Sequence, residues 1–333
     1  MGDLHAKMAE GIIRYGRNPV AAVIDSTAAG KRVGGVCRFA SDVPIVATLD
    51  EAIGLGAEVF VTGIAPSGGR LPPDWMPVLT AAVGSRLSVV NGLHDPLNPV
   101  FGKDLKRGQW IWDVRTPVGA PPPIAMGRAA ALPNRRVLMV GTDMAVGKMT
   151  AGLEIYRALK ARDVDAAFLA SGQIGVTVMG TGIPLDAFRV DHASGAVERM
   201  VMEAGTHDVV IIEGQGSLLH PGSTATLPLM RGSACNAMIL CHRAGMTHLD
   251  TTDAAGAIAV PPLADVVALN EAVAGAAGAL TQARVRGIAV NTSALDEPAA
   301  RAEIAAIVNQ TGLPVTDPVR FGAAPLAEAI LRD

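Results

Sequence analysis

Residues 137–150 read Val-Leu-Met-Val-Gly-Thr-Asp-Met-Ala-Val-Gly-Lys-Met-Thr, an apolar run that enters a loop with two glycines and ends in a lysine before helix-forming sequence. A buried strand that turns through glycine into a helix aims successive backbone N–H groups and the positive helix end at one spot, which makes an anion cradle. Such a loop belongs at the carboxyl edge of a parallel sheet and so commits the chain to an α/β architecture. The spacing departs from the ordinary nucleotide loop, G-x-x-x-x-G-K-[ST]. Five residues separate Gly141 from Gly147, and Met149 stands where the hydroxyl is normally found, with Thr150 one step later. The side chain that usually meets magnesium is therefore out of place. The expected ligand carries phosphate, held by Gly141, Thr142, Asp143, Val146, Gly147, Lys148, Met149 and Thr150.

At 333 residues the chain exceeds one ordinary core, and two domains are expected. Residues 1–120 alternate between strand-like and helix-like segments: strands at 19–25, 43–46, 58–63 and 87–90, and a helix at 49–55. This pattern predicts a Rossmann-like domain of parallel βαβ units. The segment 64–73, rich in Gly and Pro, follows a strand and is a candidate binding loop; Asn91, Gly92, His94 and Asp95 follow another. Pro121, Pro122, Pro123 and Pro133 mark 121–134 as a stiff linker. Residues 135–333 then predict a P-loop NTPase-like, doubly wound parallel sheet with strands at 137–140, 166–170, 208–212, 237–240, 266–269 and 287–290.

Composition narrows the partners. Charged residues are 18% of the chain, the net charge is −3 and aromatics are 3%, which supplies neither the basic surface nor the stacking platforms of a nucleic-acid binder. No apolar run is long enough to span a bilayer and no secretory leader opens the sequence, so a cytoplasmic protein without a membrane partner is expected. Cys37, Cys235 and Cys241 are odd in number and lack CxxC spacing, which predicts buried thiols rather than disulfides or a zinc site.

Four polar stretches should meet at the edge of the second sheet: the phosphate loop, residues 171–175, residues 213–217 and residues 241–243. Glu213 ends an apolar strand, where phosphate-loop enzymes place an acid that holds metal, orients water or accepts a proton, and it is expected to be functional; the alternative is a carboxylate that only accepts N–H bonds from its own glycine turn. His220 follows in a short loop expected at the site rim. Lys148 is the point charge for phosphate or a developing oxyanion. Asp143 is expected to face an amine or ribose, because phosphate alone would repel it. Ser171, Gln173, Gln215 and Ser217 are expected to face substrate. Arg231 is a candidate fork for a substrate carboxylate or a surface ion pair, and Arg70, Asp113 and Arg115 are likewise open to a site role or a structural one. His242, beside Arg243, is a further carboxylate candidate, whereas His192, His207 and His248 read as structural or solvated.

These residues fall in a wider pattern. Val-Ile-Asp-Ser-Thr-Ala-Ala-Gly-Lys at 23–31, Gly-Ile-Ala-Pro-Ser-Gly-Gly-Arg-Leu-Pro at 63–72, Gly-Leu-His-Asp at 92–95, Trp-Asp-Val-Arg at 112–115, the phosphate loop, Gly-Gln-Ile-Gly at 172–175, Ile-Glu-Gly-Gln-Gly-Ser-Leu-Leu-His-Pro at 212–221 and Leu-Pro-Val-Thr-Asp-Pro-Val-Arg at 313–320 span nearly the whole chain. The sequence resembles a two-domain family, formerly a domain of unknown function, typified by D-glutamate N-acetyltransferase of the DgcN type. It departs from the family pattern at Met144, Ile174 and Arg231, where cysteine, threonine and histidine are common. The resemblance implies a Rossmann-like domain joined to a dethiobiotin-synthetase-like P-loop domain, and a homo-oligomer, dimer or higher. It implies acetyl transfer from acetyl-CoA as cosubstrate to the amine of D-glutamate, in D-amino-acid catabolism and with no metal required. Glu213 is the expected base, His220 the alternative, and Lys148 the oxyanion partner. Two rival readings are an ATP- and magnesium-dependent ligase or kinase on a small carboxylate, and a non-catalytic sensor of coenzyme A or nucleotide.

Overall fold

The computed structural model describes residues 1–2, 6–251 and 257–332. In chain order the elements are α1 (Lys7–Tyr15), β1 (Val23–Ile24), β2 (Ile45–Val46), α2 (Leu49–Gly54), β3 (Val59–Val61), α3 (Met76–Gly84), β4 (Ser88–Asn91), α4 (Asn98–Phe101), β5 (Ile111–Asp113), β6 (Arg135–Gly141), α5 (Lys148–Lys160), β7 (Ala166–Leu169), α6 (Gln173–Met179), α7 (Val190–Glu203), β8 (Val209–Ile212), α8 (Thr226–Ser233), β9 (Ala237–Arg243), α9 (Leu263–Gly275), β10 (Arg284–Asn291), α10 (Glu297–Thr311), β11 (Val315–Thr316) and α11 (Ala324–Leu331). They form two compact units, Met1–Val118 with Gln173–Ala187, and Gly119–Gly172 with Phe188–Asp333.

In the first unit, β3, β4 and β5 make a parallel sheet and β1 pairs with β2, also in parallel. Phe60, Leu79, Val83, Val89, Leu97 and Phe101 build one core, and Val33 and Ile45 anchor a smaller one. The helix at 49–55 is present as α2 and starts on a capping box: Thr48 Oγ1 accepts the Glu51 N–H at 3.3 Å, and the Glu51 carboxylate reaches back to Thr48 Oγ1 and the Ala47 N–H. The division is not purely sequential, because α6 leaves the second half of the chain to pack against α1. A strand at 111–113 was not legible beforehand; its partner β4 supplies the register.

The second unit is one parallel sheet in the order β11-β10-β9-β6-β8-β7. β8 is buried along its whole length and β9 nearly so, the near-continuous apolar pattern of strands covered on both faces. From β6 the chain runs outward to β7, returns to β8 and crosses to β9. The phosphate loop at the end of β6 thus lies where strand order reverses, the place at which open α/β sheets bind ligands.

Four sequence expectations need correction here. Residues 266–269 are not a strand but part of α9: Leu263, Val266, Asn270 and Ala274 are buried at helical spacing, and Asn270 Nδ2 donates to the Val266 carbonyl at 2.8 Å. A short apolar run does not separate the two periods by itself. Residues 241–243 continue β9 rather than forming a loop, and 173–175 open α6. Finally, 121–134 is no free connector. The wholly buried Glu198 of α7 accepts the N–H groups of Met126 and Arg128 and pairs with the Arg128 guanidinium, while His192 Nδ1 meets the Pro122 carbonyl at 2.6 Å.

Candidate active site

β6 delivers Gly141 to the sheet edge, and α5 begins at Lys148 after Gly147, whose φ of +99° is left-handed and suits glycine. Lys148 is buried, and its Nζ donates to the Asp143 carbonyl at 2.7 Å and the Met144 carbonyl at 2.8 Å. Two glycines make room for it. A Cβ on Gly141 would lie 3.1 Å from Lys148 Nζ, and one on Gly214 would lie 3.1 Å from Lys148 Cδ and 1.6 Å from the Met139 carbonyl oxygen. Burial pulls the ammonium down to about 8, against the nearby Cys241, Asp143 and Glu213, which favour its charge.

Glu213 follows β8 directly. Its Oε2 accepts the Ser171 N–H at 2.8 Å and the Gly172 N–H at 3.0 Å, and the Gln215 side chain bonds to the same carboxylate. Gly172 has no side chain because the Gln215 amide occupies that space, 2.4 Å from where a Cβ would stand. Ser171 Oγ donates to the Glu213 carbonyl at 2.8 Å. Burial pushes the carboxyl up to about 7, although these donors and Lys148 all favour its ionised form. A buried acid and a buried base thus stand side by side with proton affinities drawn toward neutrality.

Asp143 is buried and spends its oxygens on the protein. Oδ1 accepts the Met144 N–H at 2.6 Å, Oδ2 accepts the Asp250 N–H at 2.7 Å, and His220 Nε2 lies 4.0 Å from Oδ1. It faces its own loop, because a carboxylate at 2% exposure needs N–H partners. His220 is also buried rather than at the rim. Its Nδ1 accepts the Gly222 N–H at 3.0 Å, which assigns the proton of a neutral ring to Nε2, toward the Asp250 carbonyl and Asp143. Thr142 Oγ1 meets His242 Nδ1 at 3.1 Å, and Ser217 Oγ donates to the Thr142 carbonyl at 3.1 Å. Burial, with Arg243 nearby, lowers His242 to about 4, so it is a neutral strut rather than a cation for carboxylates.

The structure therefore brings together Gly141, Thr142, Asp143, Lys148, Ser171, Glu213, Gln215 and Ser217. Val146 is buried within the same loop, and Met149 and Thr150 occupy the first turn of α5. Gln173 belongs to the first unit with α6. Arg231 is not drawn in: α8 starts where Thr226 Oγ1 bonds the Gln215 carbonyl and ends where the Ala234 carbonyl meets Arg136 at the start of β6, carrying Arg231 away from the loop edge. Its Nη1 is buried and has no hydrogen-bond partner among the described residues. Sequence reasoning missed Asp250 and Ser223, whose Oγ accepts the Ser217 N–H; Cys241, from the 241–243 stretch expected at this edge, lies with its thiol near Lys148. Neither Asp250 nor Ser223 lies in a motif. Among the described residues, no group of three or more His, Cys, Asp or Glu is placed to hold a metal ion, and no helix is long and apolar enough to cross a membrane.

Fold and site define a two-domain α/β protein with a modified phosphate loop. The chain belongs to the DUF1611 family: residues 26–117 match its Rossmann-like N-terminal domain and residues 123–327 its P-loop domain, both described as domains of unknown function. A D-glutamate N-acetyltransferase from Pseudoalteromonas sp is 36% identical over 279 residues, covering 82% of this chain and 81% of that protein. Another D-glutamate N-acetyltransferase, from Tritonibacter scottomollicae, is 35% identical over 287 residues, covering 85% of this chain and 84% of its own. The crystal structure of a DUF1611 family protein from Anabaena variabilis ATCC 29413 superposes with a TM-score of 0.95 at 46% identity, over 100% of this chain and 96% of that one.

Proposed function

We propose that the chain is an N-acetyltransferase that moves the acetyl group of acetyl-CoA to the amine of D-glutamate. The observation that carries this reading is Glu213, a buried carboxyl raised to about 7 beside a phosphate loop whose lysine is followed by Met149 rather than a hydroxyl. Both relatives named for D-glutamate acetylation extend over more than four fifths of the chain, which supports the substrate.

The loop suits an acyl carrier with a diphosphate. Backbone N–H groups and a lysine hold phosphate without phosphoryl transfer, so no metal-binding hydroxyl is needed. An ammonium has three donors, and Lys148 uses two on the Asp143 and Met144 carbonyls, which leaves one for an anion or a developing oxyanion. Glu213 takes a proton from the substrate ammonium, and the free amine then attacks the thioester carbonyl. The C–N bond forms and the C–S bond breaks; a second amine proton leaves and the departing sulfur is protonated to the free thiol. Glu213 fits the role of base better than His220, whose only acceptor nitrogen is engaged by the Gly222 N–H. Ser171, Gln215 and Ser217 hold Glu213 and the loop in place, as positioning residues. The same reading places the protein in the cytoplasm as a homo-oligomer, to be checked by light scattering.

Steady-state kinetics of Glu213→Gln test the assignment. Turnover is expected to fall by roughly 10²–10⁴-fold with KM for acetyl-CoA little changed, the range for loss of a general base. Turnover equal to that of the parent chain removes Glu213 from the mechanism, and ADP formation from added ATP with a carboxylate acceptor would replace acyl transfer by ligation.

A further inference from the structure

The carboxyl ends of β3, β4 and β5 carry a second group of charged side chains, all within the first unit, that the Glu213 site does not use. Arg115 is largely buried, its side chain 12% exposed; Nε donates to the Gly92 carbonyl at 2.8 Å and Nη1 is ion-paired with the carboxylate of Asp186. His94 Nε2 lies 3.7 Å from the same carboxylate. The loops that present these groups are locked to each other. The His94 N–H donates to the Gly69 carbonyl at 2.8 Å, the imidazole fills the place of a Gly69 Cβ at 2.5 Å, and Asp95 binds both the Arg70 guanidinium and the Leu71 N–H.

The carboxylates in this group differ in how they are held. Asp113 is fixed by four bonds, from Asn91 Nδ2, the Leu97 N–H, the Asn98 N–H and Asn98 Nδ2, all at 2.8–2.9 Å. Asp95 is anchored through the Leu71 N–H. Asp186 has Arg115 and His94 as its partners, no backbone donor among the described residues, and is 45% exposed. A loosely held carboxylate thus occupies a rigid cationic seat at the edge where parallel sheets bind ligands.

We propose that the first unit contains a binding site for a small carboxylate, in which Arg115 and His94 form the receptor and Asp186 is the internal carboxylate that an incoming one displaces. Charge selects the class of ligand. Arg70 is matched by Asp95, so release of Asp186 leaves one unbalanced positive charge on a planar fork, which suits a carboxylate better than a tetrahedral dianion. Burial, helped by Arg115 and Arg70, lowers the pKa of His94, so at neutral pH it offers a hydrogen bond and no second charge. Asp186 competes with the ligand and reduces its apparent affinity by the fraction of time the seat is filled.

Calorimetric titration of the full-length chain with succinate, inorganic phosphate and the uncharged succinamide tests this. Asp186→Asn is expected to bind succinate about tenfold more tightly than the parent chain. Arg115→Lys in the Asp186→Asn background is expected to lose that gain, and succinamide to give no heat with any variant. Asp186→Asn changes a half-exposed side chain without backbone bonds, so its folding is checked by an unchanged melting curve. Equal succinate affinity in the parent chain and Asp186→Asn overturns the proposal, and so does succinate bound only beside Glu213, which would leave all isotherms alike. Tighter binding of phosphate than of succinate overturns the carboxylate assignment.

Discussion

Glu213 and Lys148 impose opposite pH dependences on stability. The folded chain keeps a proton on Glu213 up to about pH 7, whereas the ordinary value is 4.5, so this contribution is full below 4.5 and is lost as pH rises through about 7. Lys148 falls from 10.5 to about 8, so its contribution is full above 10.5 and is lost as pH falls through about 8. Glu213→Gln is expected to remove the first of these, on the order of 3 kcal/mol across the interval, and to flatten the fall in Tm between pH 5 and 7.5. A pH profile of Tm identical to that of the parent chain would contradict the buried-acid assignment. Two glycines at the same site should fail for different reasons. Gly214→Ala drives a methyl into the Met139 carbonyl and is expected to cost roughly 3 kcal/mol, while Gly147→Ala meets no atom of the described residues within 4 Å and carries left-handed strain, about 1–2 kcal/mol by urea denaturation. Residue identity made Lys148 and Glu213 legible as candidates from their positions at strand ends. Burial was not legible, because whether a loop carboxylate such as Asp143 faces a ligand or its own backbone depends on where the distant Asp250 N–H arrives.

Among the elements, the central strands were the most legible from sequence, because their burial is continuous. β6, β8 and β9 are apolar through their centres, and the residues that follow them at the carboxyl edge, the phosphate loop after β6, Glu213 after β8 and His242 at the end of β9, mark where the site lies. α9 was misread because Val266 and Leu269 lie in a four-residue apolar run, and only the burial of Asn270 and Ala274 further on reveals the helical period. The 121–134 segment failed in the opposite sense: its prolines signal a linker, yet Glu198, seventy residues along the chain, pins it to α7. Glu198→Ala is accordingly expected to destabilise the chain by about 2–4 kcal/mol and to open 124–130 to limited proteolysis, since it strips the Met126 and Arg128 N–H groups of their acceptor. Cleavage kinetics in that segment equal to those of the parent chain would contradict this.

At the scale of the whole molecule, the first unit is completed by a segment from the second half of the chain. α6 packs on α1, whose Met8 is wholly buried, so a fragment that stops at residue 118 is expected to be less stable than one carrying 173–187 through a linker, as read by denaturant midpoint. Equal midpoints would show that α6 contributes nothing to that unit. The number of domains and their α/β class followed from chain length and alternating strands; the exchange of 173–187 did not, because no local pattern records which unit a helix joins. Function turns on one question for the whole chain: whether a phosphate loop lacking its usual hydroxyl serves acyl transfer. The most direct measurement is release of free thiol from acetyl-CoA by the full-length protein with D-glutamate, L-glutamate and a panel of other amino acids, without ATP or divalent metal. The account predicts thiol release with D-glutamate, matched mole for mole by N-acetyl-D-glutamate; no release with any amino acid, or turnover only with ATP and magnesium, would contradict it.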